Sequence, residues 1–199
     1  MKLLEKAQRW AARGHLGVCR KFGNIPYIVH PEAVVEIVGQ VTDDTEVLAA
    51  AWLHDIVEDT PVTVEDIKIA FNDRIARLVW EVSKVTDGCE CPRNTRVLMN
   101  CIHYGNGSKW AKTIKIADAI HNLPTMIRDN KKFAPRYVAE KKVLLGFIGD
   151  GHPLLASILE MIISDFEKNN LTVFDLYSKI KGNQEKSDKC SHKIHKEIL

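Results

Sequence analysis

An all-α helical bundle is the fold class the sequence predicts, on three observations. Apolar residues recur at helical spacing along nearly the whole chain, as in Val34-Val35-Ile37-Val38 and Ile75-Leu78-Val79-Val82. Period-two alternation is scarce, and caps and breakers punctuate the periodic stretches. The 199 residues, 45% of them hydrophobic, suffice for one sizeable core and are short for two full domains. One domain over residues 1–181 is therefore expected, followed by a polar, mobile tail at 182–199.

Each helix has a start or stop signal of its own. A first helix near 2–16 is charged at Lys2, Glu5, Lys6, Arg9 and Arg13, too often for a signal sequence. Pro31 lies just inside a second, near 31–40. Asp44 or Thr45 caps a third over 45–59, which Thr60-Pro61 ends. Thr63 with Asp66 three residues later opens 63–71, and the helix 73–85, through Trp80 and Val82, stops at Asp87-Gly88. Further helices are expected near 93–104, 109–127, 132–148, 153–167 and 172–181. Trp10, Trp52, Trp80 and Trp110 sit on apolar faces and are assigned to the core. Beyond Gly182, Asn183-Gln184-Glu185-Lys186-Ser187-Asp188-Lys189 has no apolar period with which to order itself.

Composition narrows the function. The 28 Lys+Arg against 26 Asp+Glu leave a net charge of +2 with no basic block, which argues against a nucleic-acid partner. No apolar run reaches the length of a membrane span. Five cysteines, an odd number, do not suggest a disulfide framework, so a reducing, cytoplasmic setting is expected. Cys89-Glu90-Cys91 is spaced too closely for the usual zinc pair and is read as a loop with two free thiols.

The chemistry is concentrated in Ala49-Ala50-Ala51-Trp52-Leu53-His54-Asp55-Ile56-Val57-Glu58-Asp59-Thr60. On a continuous helix His54, Asp55, Glu58 and Asp59 fall within an arc of roughly 140°. Three carboxylates beside an imidazole on a mostly buried helix call for a compensating cation. Two donors elsewhere suit a divalent ion: His30, reached through the extended Ile25-Pro26-Tyr27-Ile28-Val29 and placed just before a helix, and Asp118, a lone carboxylate in Ile114-Lys115-Ile116-Ala117-Asp118-Ala119. Two His and two Asp suit manganese, iron or zinc. His121 is balanced between lining the cleft and filling the core, and Lys112 and Arg128 are read as solvated.

These segments resemble the HD superfamily and, more narrowly, the small alarmone hydrolases and the hydrolase domain of the bifunctional stringent-response enzymes. The resemblance runs from about residue 5 to 165 and rests on Arg20-Lys21, Pro26-Tyr27-Ile28-Val29-His30-Pro31, His54-Asp55-Ile56-Val57-Glu58-Asp59-Thr60, and Ile114-Lys115-Ile116-Ala117-Asp118 with Asn122 and Thr125. It implies that His30, His54, Asp55 and Asp118 hold one manganese ion, used as a Lewis acid, and that Glu58 with Asp59 positions or deprotonates the attacking water. It implies removal of the 3′-pyrophosphate of guanosine tetra- or pentaphosphate, giving pyrophosphate and GDP or GTP. Arg20, Lys21, Asn122 and Thr125 match positions that hold the nucleotide's base and sugar, and Tyr27 and Lys115 complete the substrate-facing set. Phe22, an extra residue between Gly23 and Pro26, Ala119 and Pro124 depart from the family pattern. They touch base recognition and no proposed ligand. An adenosine alarmone, a nucleotidase activity or an NADPH 2′-phosphatase activity is compatible with the same centre; a non-catalytic nucleotide-binding module has no need of Glu58 and Asp59.

Overall fold

A computed structural model describes residues 2–169, so the expected helix at 172–181 and the tail at 182–199 lie outside the described residues. Ten helices follow in order: α1 Leu3–Gly14, α2 Val29–Gly39, α3 Thr45–Leu53, α4 Ile56–Asp59, α5 Val64–Ala70, α6 Asp73–Val82, α7 Arg93–Gly105, α8 Lys109–Asp129, α9 Ala134–Ile148 and α10 Pro153–Asn169. Among the described residues there is no strand, only a bridge between Cys19 and Pro26. The all-α expectation holds.

Two helices sit at the centre, each with a long run of buried residues. In α3, Val47, Ala49, Ala50, Ala51, Trp52 and Leu53 are all buried. Its run of three alanines lets α1, with Ala7 and Ala11, approach closely on one side, while α2 and α6 pack against the others. In α8, Thr113 through Ala119 are buried without interruption beneath α2, α6, α9 and α10. Such burial of six or more side chains per helix, each contributing about 1.5–3 kcal/mol when aliphatic, fixes the two central rods that carry the polar residues of interest.

Local capping follows the sequence. Asp44 accepts from the amides of Glu46 and Val47, and Thr63 and Asp66 form a reciprocal capping box. Asp44 and Glu46 both pair with Arg74 of α6, tying the start of α3 to its neighbour.

Four expectations need correction. The predicted helix 45–59 breaks at His54-Asp55, so α3 and α4 are separate and the four polar residues do not share one continuous face. Asp55, at φ −102° and ψ −6°, lies at the bridge edge of the helical region there. The helix through Trp80 ends at Val82 rather than near Gly88, because Ser83 turns extended and its hydroxyl donates back to the Val79 carbonyl. Trp80 is 50% exposed and stacks edge-on with His103 rather than entering the core. Cys89 and Cys91 are joined as a disulfide rather than being free thiols, in a loop that Gly88 curls at φ +76°; Cys19 and Cys101 are free.

Gly151 seats the start of α10 against α8. A Cβ there would lie 2.8 Å from Lys112 Cβ and 2.9 Å from the backbone of Lys112 and Thr113, atoms that cannot rotate away. Gly151→Ala is expected to cost about 1–3 kcal/mol, lowering Tm by several degrees in thermal denaturation. A Tm equal to that of the parent would refute the close approach.

Candidate metal centre

Three separate elements bring the polar residues together. Upstream of α2 the chain makes a tight turn: the Arg20 amide donates to the Ile25 carbonyl, and Gly23 and Asn24 take positive φ of 85° and 51°. The Tyr27 amide then donates to the Val18 carbonyl, and His30 lands in the first turn of α2 rather than before it. The break between α3 and α4 presents His54 and Asp55, and α8 supplies Asp118. His54 Nε2 and His30 Nε2 are 3.2 Å apart, and Asp55 Oδ2 lies 3.1 Å from the first and 3.4 Å from the second. Asp118 Oδ1 is 3.3 Å from His30 Nε2. Ligand atoms of His30, His54 and Asp55 all fall within 4.8 Å of one another.

The hydrogen bonds behind these rings decide what they offer. His54 Nδ1 is 2.7 Å from the Ala51 carbonyl, which can only accept, so Nδ1 carries the proton and Nε2 a lone pair. His30 Nδ1 lies 2.7 Å from His121 Nδ1. With His30 as donor, its Nε2 lone pair is also free, and His121 is the acceptor; burial and the neighbouring His30 hold the His121 pKa down to about 4, as an acceptor requires. Two imidazole lone pairs and two carboxylates then face one small buried volume. Bare, these groups repel, and only cations or protons reconcile them. Burial alone would depress the His54 pKa, yet Asp55 and then Asp118 raise it to about 9. The residues therefore fit a divalent metal ion with mixed nitrogen and oxygen ligands, as expected.

Binding an ion to the folded form alone stabilises it by RT ln(1 + [M]/Kd), about 2.7 kcal/mol at a hundredfold excess over Kd. Saturating manganese is thus expected to raise Tm by roughly 5–10 °C, reversed by a chelator. An unchanged Tm in differential scanning calorimetry would remove the metal assignment.

An outer layer fixes the candidate ligands. Tyr27 Oη donates to Asp55 Oδ2 at 2.6 Å. The Asn122 amide donates to Asp118, while its Oδ1 accepts from Arg20 Nη2 at 2.6 Å. Lys115, only 6% exposed, lies 3.3 Å from Asp118 Oδ2 and over the Tyr104 ring. Burial opposes charge on both members of this pair, but Lys115 and His30 hold the Asp118 carboxyl well below its usual range, and Tyr104 and Asp118 hold Lys115 ionised. Tyr27, Asn122 and Lys115, which the sequence placed against substrate, thus each contact a candidate ligand. Lys21 is exposed beside Phe22, and Thr125 is half-buried one turn beyond His121.

The carboxylates of α4 diverge from the ligand cluster. Both Glu58 oxygens meet Lys84, one through the backbone amide at 2.9 Å and the other through Nζ. Asp59 points toward His15 of the α1 terminus, 3.7 Å from its Nε2. His15, Lys84 and Tyr104 were not singled out in the sequence. Their only signals are a polar residue after an apolar helix, at Lys84 and His15, and an aromatic on the buried face of α7.

Comparison with known proteins returns relatives of one kind. A family model described as HD domain matches residues 7–95. The chain is 38% identical over 145 residues to the guanosine-3′,5′-bis(diphosphate) 3′-pyrophosphohydrolase MESH1 of Xenopus tropicalis, spanning 71% of this chain and 76% of the relative. The human protein of that name is 37% identical over the same shares. The Escherichia coli bifunctional (p)ppGpp synthase/hydrolase SpoT is 33% identical over 141 residues, 66% of this chain but 19% of that larger protein. Among solved structures, one described as "A metazoan ortholog of SpoT hydrolyzes ppGpp and plays a role in starvation responses" superposes with a TM-score of 0.76 at 26% identity, covering 86% of this chain and 97% of the other.

Proposed function

This chain belongs to the family of HD-domain guanosine-3′,5′-bis(diphosphate) 3′-pyrophosphohydrolases, and from that premise we propose that it hydrolyses guanosine tetra- and pentaphosphate to pyrophosphate and GDP or GTP. The observation that carries this reading is the buried cluster of His30, His54 and Asp55 ligand atoms, with Asp118 Oδ1 3.3 Å from His30 Nε2. Manganese is the ion we assign, and the cytoplasm the compartment. No described helix is long and apolar enough to cross a membrane. The substrate is a free nucleotide; nucleic acid and membrane have no part in this reading.

A divalent ion held by the four ligands would acidify water and withdraw charge from a phosphoryl oxygen. The chain's own groups do the rest. Tyr27 fixes Asp55, and Asn122 with Lys115 fixes Asp118, so the ligands are oriented before substrate arrives. Glu58 and Asp59 accept a proton from the attacking water, whose oxygen forms a bond to the 3′-phosphorus as the bond to the ribose 3′-oxygen breaks, and that oxygen leaves as a hydroxyl with a proton from this pair or from solvent. Arg20, Lys84 and Lys115 supply positive potential around a polyanion.

Product analysis tests the reading. Manganese-loaded protein given guanosine tetraphosphate is expected to release pyrophosphate and GDP. Phosphate released from NADPH with no turnover of the guanosine substrate would move the activity to a 2′-phosphatase on the same centre. No turnover of either, or of the adenosine analogue, would leave a nucleotide-binding module.

A further inference from the structure

His15 is a buried imidazole that the proposed reaction has not used. It caps the C-terminus of α1, and Gly14 before it lets that terminus press on α4: a Cβ at Gly14 would meet Ile56 Cγ1 and Thr60 Cγ2 at 3.2 Å. The ring is 3% exposed. Its Nδ1 lies 2.9 Å from the Ala11 carbonyl, an acceptor, so Nδ1 bears a proton. Its Nε2 is buried without a hydrogen-bond partner, and the polar atom it faces is Asp59 Oδ2 at 3.7 Å. A lone pair at Nε2 would confront a carboxylate across that gap, whereas an N–H would find an acceptor within a small rotation of Asp59, whose side chain is 38% exposed. One ring face stacks on Tyr27, centroids 4.5 Å apart and planes 18° from parallel, and the Tyr27 hydroxyl is the donor to Asp55. Burial resists charge on His15, but Asp59, the Ala11 carbonyl and Asp55 together raise its pKa.

We propose that His15 is the positioning residue of Asp59: its Nε2–H donates to the Asp59 carboxylate and aims it at the attacking water, while its ring face holds Tyr27 against Asp55. The two carboxylates of α4 are then each anchored by a base from another element, Glu58 by Lys84 and Asp59 by His15. This rests on the reading of Asp59 as a water-handling group and not on the identity of the nucleotide.

The test uses the full-length, metal-loaded protein with His15→Phe, His15→Gln, Asp59→Asn and the His15→Phe/Asp59→Asn double variant. His15→Phe keeps a ring against Tyr27 but loses the donor; kcat for guanosine tetraphosphate is expected to fall about 10–100-fold with KM within about twofold. His15→Gln, which can place an amide N–H where Nε2 stood, is expected to recover to within about threefold of the parent, and His15→Phe is expected to add nothing in the Asp59→Asn background. Parental kcat in His15→Phe with Asp59→Asn impaired, or a His15→Phe loss that persists beside Asp59→Asn, overturns the positioning role. Parental kcat in Asp59→Asn overturns the water-handling reading itself. A second readout needs no turnover: in the zinc-loaded protein, long-range proton–nitrogen NMR is expected to show His15 Nε2 protonated near neutral pH and unprotonated in Asp59→Asn. An unprotonated Nε2 in the parent sinks the proposal even where the substrate assignment stands, and a protonated one supports it even where guanosine tetraphosphate proves not to be the substrate.

Discussion

Alanine at Asp55 is expected to lower hydrolysis by about three orders of magnitude, equivalent to about 4 kcal/mol, while the bundle stays folded. The size follows from what meets Asp55 Oδ2: His54 Nε2 at 3.1 Å, His30 Nε2 at 3.4 Å and the Tyr27 hydroxyl at 2.6 Å. Burial works against its charge, yet His54 and His30 hold the carboxyl well below its usual range, so it enters the centre ionised. Removing it takes one anionic ligand from a set of four and frees Tyr27 to swing. Asp55→Asn separates the two consequences, because the amide oxygen still accepts from Tyr27 but brings no charge. If Asp55→Asn retains activity within about tenfold and Asp55→Ala does not, the residue orients Tyr27 and the metal role fails. Loss in both, together with loss of the manganese-induced rise in Tm, is the outcome the geometry requires.

The candidate ligands stand out in the sequence because they interrupt apolar surroundings. Asp118 lies among Ile114, Ile116, Ala117 and Ala119, all buried, and His54-Asp55 follows the buried Ala49-Ala50-Ala51-Trp52-Leu53. A polar group in such company must be compensated, and that constraint reads through from composition to site. The break between α3 and α4 was not legible. No glycine or proline marks it, and helical periodicity runs through it; only tertiary demand, the need to aim His54 at the centre and Glu58 toward Lys84, distinguishes two helices from one. For the same reason the contacts of Tyr27 and Lys115 with Asp55 and Asp118 were not legible either. Spacing predicts that such residues share a face, whereas which neighbour they reach depends on how α2, α3 and α8 cross. Trp80 shows the opposite limit, since an aromatic on an otherwise buried helix can still settle on its exposed edge against His103.

Glu58→Gln is expected to lower kcat by about 10²–10⁴-fold with KM changed by less than about threefold, the signature of a group that acts on the attacking water rather than on binding. Glu58 is held more firmly than Asp59: its side chain is 5% exposed and both oxygens are engaged by one residue at the end of α6. Glutamine in its place turns an amide NH2 toward either the Lys84 amide or its ammonium, both donors, so the substitution removes the charge and also the reason for the orientation. Lys84→Met tests orientation alone. It leaves the 2.9 Å bond from the Lys84 backbone amide and deletes only the ammonium, so a loss of about tenfold is expected. Combined with Glu58→Gln it should cost little more, because once the carboxylate is gone the ammonium has nothing to hold. Additive losses would instead place Lys84 on the substrate, where half its side chain's surface is already open to solvent. That result would turn the end of α6 from a strut behind the water into part of the wall that receives the pyrophosphate.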